Sequence, residues 1–282
     1  MKKEENNHYQ KLGQSMKFAL LFIVTVCLFL NATAQNYKKI FYKDQTIENA
    51  DVKVIISDAV ATPAGIKFKI RVINKTNDYI IFKPSESSFK IAGEQSNPVE
   101  KELIIRPNND NFKVIDLKGK QYMVPSNYEF KLDGIYKVSF NSPGIAVADF
   151  KLPPSQNDFK AGGFTVILDK FKKETDKTDA RFIAEYTGDK IGIVEVNKVG
   201  VKMPDGKEYA NYNDKKPIVF LKGNKDDFTL AWKEMPKTSG DMQKADMLII
   251  WRDAFKEGRS EKIAVQILNI IFDQELTNEK GK

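Results

Sequence analysis

Histidine and cysteine are nearly missing from this 282-residue chain, which has one of each, His8 and Cys27. Both stand in the first 34 residues, and those residues have the order of a secretory signal. A basic Lys17 leads into an apolar run from Phe18 to Leu30, followed by the small-x-small triplet Ala32-Thr33-Ala34. The run is shorter than the roughly 20 residues a helix needs to span a bilayer. The sequence therefore predicts cleavage after Ala34 and no integral membrane span in the mature chain. Met16 is the preferred start over Met1, because Glu4 and Glu5 are out of place in a signal. Cys27 follows Val24-Thr25-Val26 instead of the small residues of a lipid-attachment site, and the apolar run continues past it. The expected location is periplasmic or secreted.

A mature chain without histidine or cysteine forms no disulfide and lacks the commonest zinc, copper and haem ligands. It cannot build a Ser-His-Asp or Cys-His nucleophile either. Phosphate-loop, dinucleotide and EF-hand motifs are also missing. No catalytic residue, metal ligand or cofactor is expected. The acids Glu174, Asp176 and Asp179 could supply oxygen ligands for calcium, but the intervening Lys177 reads them as a solvated hairpin tip. Glycoside hydrolysis needs only two carboxylates, whose separation a sequence does not give, so it stays as a lesser alternative. Arginine is scarce and scattered, at positions 71, 106, 181, 252 and 259, which argues against a nucleic-acid partner. The net charge of +7 falls to +5 once the leader, with four lysines and two glutamates, is removed. That surplus fits a solvated surface, with a weak attraction to acidic envelope polymers as the functional alternative.

What is present is an internal repeat. Val52-Lys53-Val54-Ile55-Ile56 matches Phe164-Thr165-Val166-Ile167-Leu168 at a spacing of 112 residues. At the same spacing Ile70 and Val72 fall on Phe182 and Ala184, and Phe89 and Ile91 on Val201 and Met203. With small insertions, Leu103-Ile104-Ile105 matches Ile218-Val219-Phe220, Phe112 matches Phe228, and Phe130 with Gly134 matches Phe255 with Gly258. Apolar and polar residues alternate throughout, as in Gly65 to Val72. Turn signals interrupt them at Asn74-Lys75-Thr76-Asn77-Asp78, Ile91-Ala92-Gly93, Asn108-Asn109-Asp110, Thr187-Gly188-Asp189 and Pro204-Asp205-Gly206. The only helical pattern is a short one at Ser239 to Ala245. The reading is an all-β chain of two tandem immunoglobulin-like β-sandwich domains after a cleaved signal peptide. Residues 1–34 are the signal, 35–151 the first repeat and 152–158 a proline-rich linker. Residues 159–282 are the second repeat, in which 262–276 gives one or two final strands before a polar tail.

The strand ending in Asn74-Lys75-Thr76-Asn77-Asp78, and the hairpin from Val201 to Tyr209, resemble segments of immunoglobulin-like modules in bacterial exported proteins. The resemblance implies a non-catalytic role in adhesion, scaffolding or ligand presentation. The functional expectation is an exported binding or scaffolding protein of the cell envelope, acting through a protein partner. The alternative is a carbohydrate-binding module for envelope polysaccharide. Its candidate ligand-binding residues are Tyr209, Tyr212, Trp232 and Trp251, whose rings could stack on sugars. Trp232 holds the place of Leu117 in the first repeat and Trp251 alternates with Ile249, which favours core for both tryptophans.

Overall fold

The computed structural model describes residues 37–91, 94–139, 141–213, 215–236 and 241–282. The predicted signal, with Met16, Cys27 and Ala34, lies outside them, as do Ala92, Gly93 and Ser239. The first half of the chain forms β1 (Ile40–Phe41), β2 (Gln45–Glu48), β3 (Val52–Thr62), β4 (Gly65–Asn74), β5 (Tyr79–Phe82), β6 (Ser88–Ile91), β7 (Glu94–Ser96), β8 (Leu103–Ile105), β9 (Asp110–Lys118), β10 (Tyr128–Leu132) and β11 (Ile135–Val138). The second forms β12 (Phe150–Leu152), β13 (Asp158–Ala161), β14 (Phe164–Lys173), β15 (Lys177–Tyr186), β16 (Ile191–Val194), β17 (Gly200–Lys202), β18 (Glu208–Ala210), β19 (Ile218–Phe220), β20 (Lys225–Lys233), β21 (Met247–Ile250) and β22 (Phe255–Gly258). After these come β23 (Ser260–Lys262), β24 (Gln266–Ile270) and a two-turn helix α1 (Gln274–Lys280). The chain is mostly β and sandwich-like. Among the described residues no helix is long and apolar enough to cross a membrane.

The sheets of the two halves pair in the same order. The β1-β3-β4-β9 sheet, which β2 joins through β3, corresponds to β13-β14-β15-β20, and β24-β10-β6-β7 corresponds to β12-β21-β17-β18. Facing sheets bury their alternate apolar residues. In the first half Phe68 packs on Phe89 and Phe130, with centroids 5.5 and 5.4 Å apart. In the second, Phe182 meets Phe150 and Trp251 at 5.4 and 5.2 Å. Even the irregularities repeat. Bulges interrupt β3 between Ser57 and Val60 and β14 between Leu168 and Lys170, and a single 3-10 turn follows β5 at Pro84–Glu86 and β16 at Val196–Lys198.

Three sequence expectations need correction. Phe112 pairs with Arg71 and is half exposed, whereas Phe228 pairs with Phe182 and is buried. A one-residue slip exchanges the faces of a strand, so these two phenylalanines are not equivalent. Phe130 corresponds in pairing to Ile249 and not to Phe255, since β10 lies beside β6 as β21 lies beside β17. Residues 241–245 form a turn, and the helix is α1.

The chain's division also differs from that expected. Residues 152–158, read as the link, run between β12 and β13, and both of these pair within the second half. The crossing comes earlier, between β11 and β12. A second crossing returns: β23 pairs with β11 and β24 with β10, so the final strands complete the first half. Leu268 and Ile270 are buried in the first core, as Phe150 and Leu152 are in the second. The two crossings run side by side, with Val138 opposite Ser260 on one flank and Gly144 bridging Lys256 on the other. Strand β12, from the end of the first repeat, thus completes the second half, β23 and β24 complete the first, and the apolar cluster of Tyr79, Ile81, Val138, Ile191 and Leu221 fills the junction.

Candidate functional site

A cleft of about 550 Å³ opens beside that junction cluster. One wall comes from the first half, with Tyr79, Ile104, Arg106 and Asn111. The other comes from the second half, with Lys216, Pro217, Val219 and Asp226. Ile104 on β8 and Val219 on β19 are corresponding residues, opposite Ile81 and Ile193. Both strands are sheet edges, β8 in the order β23-β11-β5-β8 and β19 in β19-β16-β22.

The first wall is held by the turn that the sequence marks at Asn74 to Asp78. Asn74 is buried, and its Nδ2 donates to the carbonyls of Asp78 at 2.7 Å and Arg106 at 2.9 Å. Its Oδ1 accepts from the Thr76 amide and hydroxyl at 2.9 and 2.8 Å. Asn108 donates its backbone N–H to Thr76 O and takes a left-handed φ of 50°, which asparagine tolerates better than most residues. This clasp fixes Arg106 beside Tyr79 and leaves the guanidinium exposed, with no ion pair among the described residues.

Tyr79 is buried at the cleft's base. Burial pushes its hydroxyl up from the ordinary phenol value; Arg106 pulls it down and Glu195 adds to the rise. It is therefore a neutral donor near pH 7. Behind it lies a buried ion cluster. Glu195, at the start of a 3-10 turn, meets Lys256 Nζ at 2.6 Å and Lys198 Nζ at 3.0 Å, and both Glu195 and Lys256 are less than a tenth exposed. Burial is the largest single influence on the Lys198 ammonium and pulls it down, but hydrogen bonding within the cluster and the charges of Glu195 and Asp253 together outweigh it, and the net shift is upward. Removing one member of such a cluster leaves an uncompensated buried charge, so the cluster fixes the relative positions of β16 and β22.

The opposite wall rests on β20. Asn211 Oδ1 accepts the Ala231 N–H at 2.8 Å, and Asn213 Nδ2 donates to Thr229 O at 2.9 Å, which ties the loop leading to Lys216 onto that edge. Lys216 is exposed. The cleft can offer two cations, backbone groups of two strand edges and an apolar floor, which suits capture of a chain-like ligand.

The aromatic candidates are placed elsewhere. Trp232 and Trp251 are 1% and 0% exposed, so neither can present a face to a sugar. Tyr209 is half buried, and Tyr212 is 62% exposed with Lys233 Nζ 3.6 Å from its ring centre. Tyr209, Tyr212 and Trp232 border one shallow depression of about 370 Å³, while Trp251 lies in the second core. Glu174 and Asp179 are bound to Lys172 and Lys177 at the β14–β15 hairpin, and no group of three metal-ligating side chains occurs among the described residues. The cleft was missed in the sequence, although the Asn-rich turns at 74–78 and 108–110 that build its wall were visible.

The chain matches no protein-family model and no curated protein. Among solved structures it aligns with red sea bream transglutaminase at 7% identity and a TM-score of 0.21, over 77% of this chain and 31% of that one. The chain spans less than a third of that protein, and a likeness of this size assigns neither fold family nor activity.

Proposed function

We propose that the chain is a non-catalytic exported binding or scaffolding protein of the bacterial envelope, built of two immunoglobulin-like sandwich modules, that holds a protein partner. The observation that supports this reading best is the cleft shared by the edge strands β8 and β19. An edge strand displays backbone donors and acceptors that recruit another chain without any catalytic residue. The burial of both tryptophans weighs against the carbohydrate reading.

Crosslinking in the protein's own cells, followed by mass spectrometry against an untagged control, tests the proposal. The expected outcome is reproducible capture of one or two envelope proteins. Capture of no protein, with retention on envelope polysaccharide instead, overturns it. N-terminal sequencing of the purified protein checks export, with Gln35 expected as the first residue.

A further inference from the structure

Resting on that reading, we infer that the cleft takes an extended segment of the partner, added as a strand to the free edge of β19, with a carboxylate seated at Arg106 and Lys216. Residues in an antiparallel strand point their amide and carbonyl alternately toward and away from the neighbour. In β8 the Ile104 carbonyl accepts Asn111 Nδ2 at 3.2 Å, so residue 104 faces away from β5, and its edge is already partly occupied. Val219 is its counterpart in β19 and faces away from β16 in the same register. The residue in the second half corresponding to Asn111 is Asp226, an acceptor that cannot satisfy a carbonyl. The β19 edge therefore keeps the capacity that β8 has spent on its own side chain.

Charge selects the occupant. Asp110 is neutralised by Arg71 at 2.7 Å, whereas Arg106 and Lys216 have no ion pair among the described residues and line the same space. Asp226 repels acid at its own end of the cleft and so sets the direction in which the segment lies. Ile104 and Val219 pack against the junction cluster and give the segment's apolar side chain a floor.

The test uses three end-blocked peptides, Thr-Val-Thr-Glu-Val-Thr-Val and its Gln and Lys versions, titrated into the mature chain and followed by fluorescence anisotropy. The Glu peptide should bind about tenfold tighter than the Lys peptide. The double variant Arg106→Glu with Lys216→Glu should reverse that order. Both residues are exposed and have no ion pair among the described residues, so an unchanged urea midpoint shows that the variant is folded. Equal binding of the three peptides, or no binding of the Glu peptide at millimolar concentration, overturns the inference. The same variant in cells separates the two readings. If it captures the partner as well as the parent chain does, the scaffold reading stands and this one falls. If neither captures a protein, both fall.

Discussion

Position 74 is asparagine in the first half, and the corresponding residue 112 positions later is Tyr186. The exchange propagates. Asn74 needs little room and has Ile80 nearby in sequence, while the Tyr186 ring is accommodated by Gly192 at the place of Ile80. A Cβ on Gly192 would stand 2.5 Å from Phe164 Cζ and 2.9 Å from Tyr186 Cδ2. Gly192→Ala should therefore cost about 1–3 kcal/mol, read as a lower urea midpoint. Asn74→Leu leaves the Asp78 and Arg106 carbonyls without their donor and should cost about 2–4 kcal/mol. It should also weaken peptide binding at the cleft, because the segment carrying Arg106 loses its clasp. Replacing the exposed Lys90 on β6 by alanine gives the comparison for that experiment and should change stability by less than about 1 kcal/mol. Asn74 was legible as turn chemistry, but that it reaches Arg106 was not, since the partner lies 32 positions away.

The donated strand β23 is fastened by charge. Lys262 Nζ reaches Asp133 at 2.8 Å and Glu86 at 3.1 Å, and the Tyr136 hydroxyl donates to Glu86 at 2.6 Å. These hydrogen bonds push the Lys262 ammonium up. Burial alone would raise the Asp133 carboxyl, but Lys262 and the Gly134 N–H hold it below the usual range. A raised lysine stabilises below its unfolded pKa and loses that contribution as pH rises through the folded value. A depressed aspartate stabilises above its unfolded pKa and loses its share as pH falls through the folded one. The fastening is thus at full strength between about pH 4 and about pH 10. Lys262→Met should lower the urea midpoint within that window and flatten its decline on both flanks. An equal midpoint across the window would show that the ion cluster contributes nothing. The sequence displayed strand character from Lys262 onward, which takes in β24 but only the last residue of β23, and it showed the destination of neither. Alternation fixes which side chains are buried, whereas the choice of neighbouring strand depends on residues more than a hundred positions away. The repeat was legible where spacing was constant, from Val52 to Ile91, and failed at Phe112 and Phe130, after loops of unequal length had intervened.

For the molecule as a whole, reciprocal donation makes separate unfolding of the halves costly, because opening either one withdraws a strand from the other. Calorimetry should record one transition whose van't Hoff and calorimetric enthalpies agree; two resolved transitions would show that the halves are independent. Deleting residues 259–282 removes Leu268 and Ile270 from the first core and should leave that half susceptible to protease under native conditions. The tail is held at the other end of the sequence as well. The N–H groups of Lys38 and Lys39 donate to Gly281 O, and that of Phe41 donates to Thr277 Oγ1 at 2.9 Å. The order of synthesis then acquires a meaning. The first half emerges from the ribosome early, but two of its sheets lack an edge strand until residues 260–270 have also been made, so it is incomplete in the nascent chain. For a chain exported as proposed, that delay helps keep it threadable through a narrow translocation channel, and completion of the fold is deferred to the far side of the membrane.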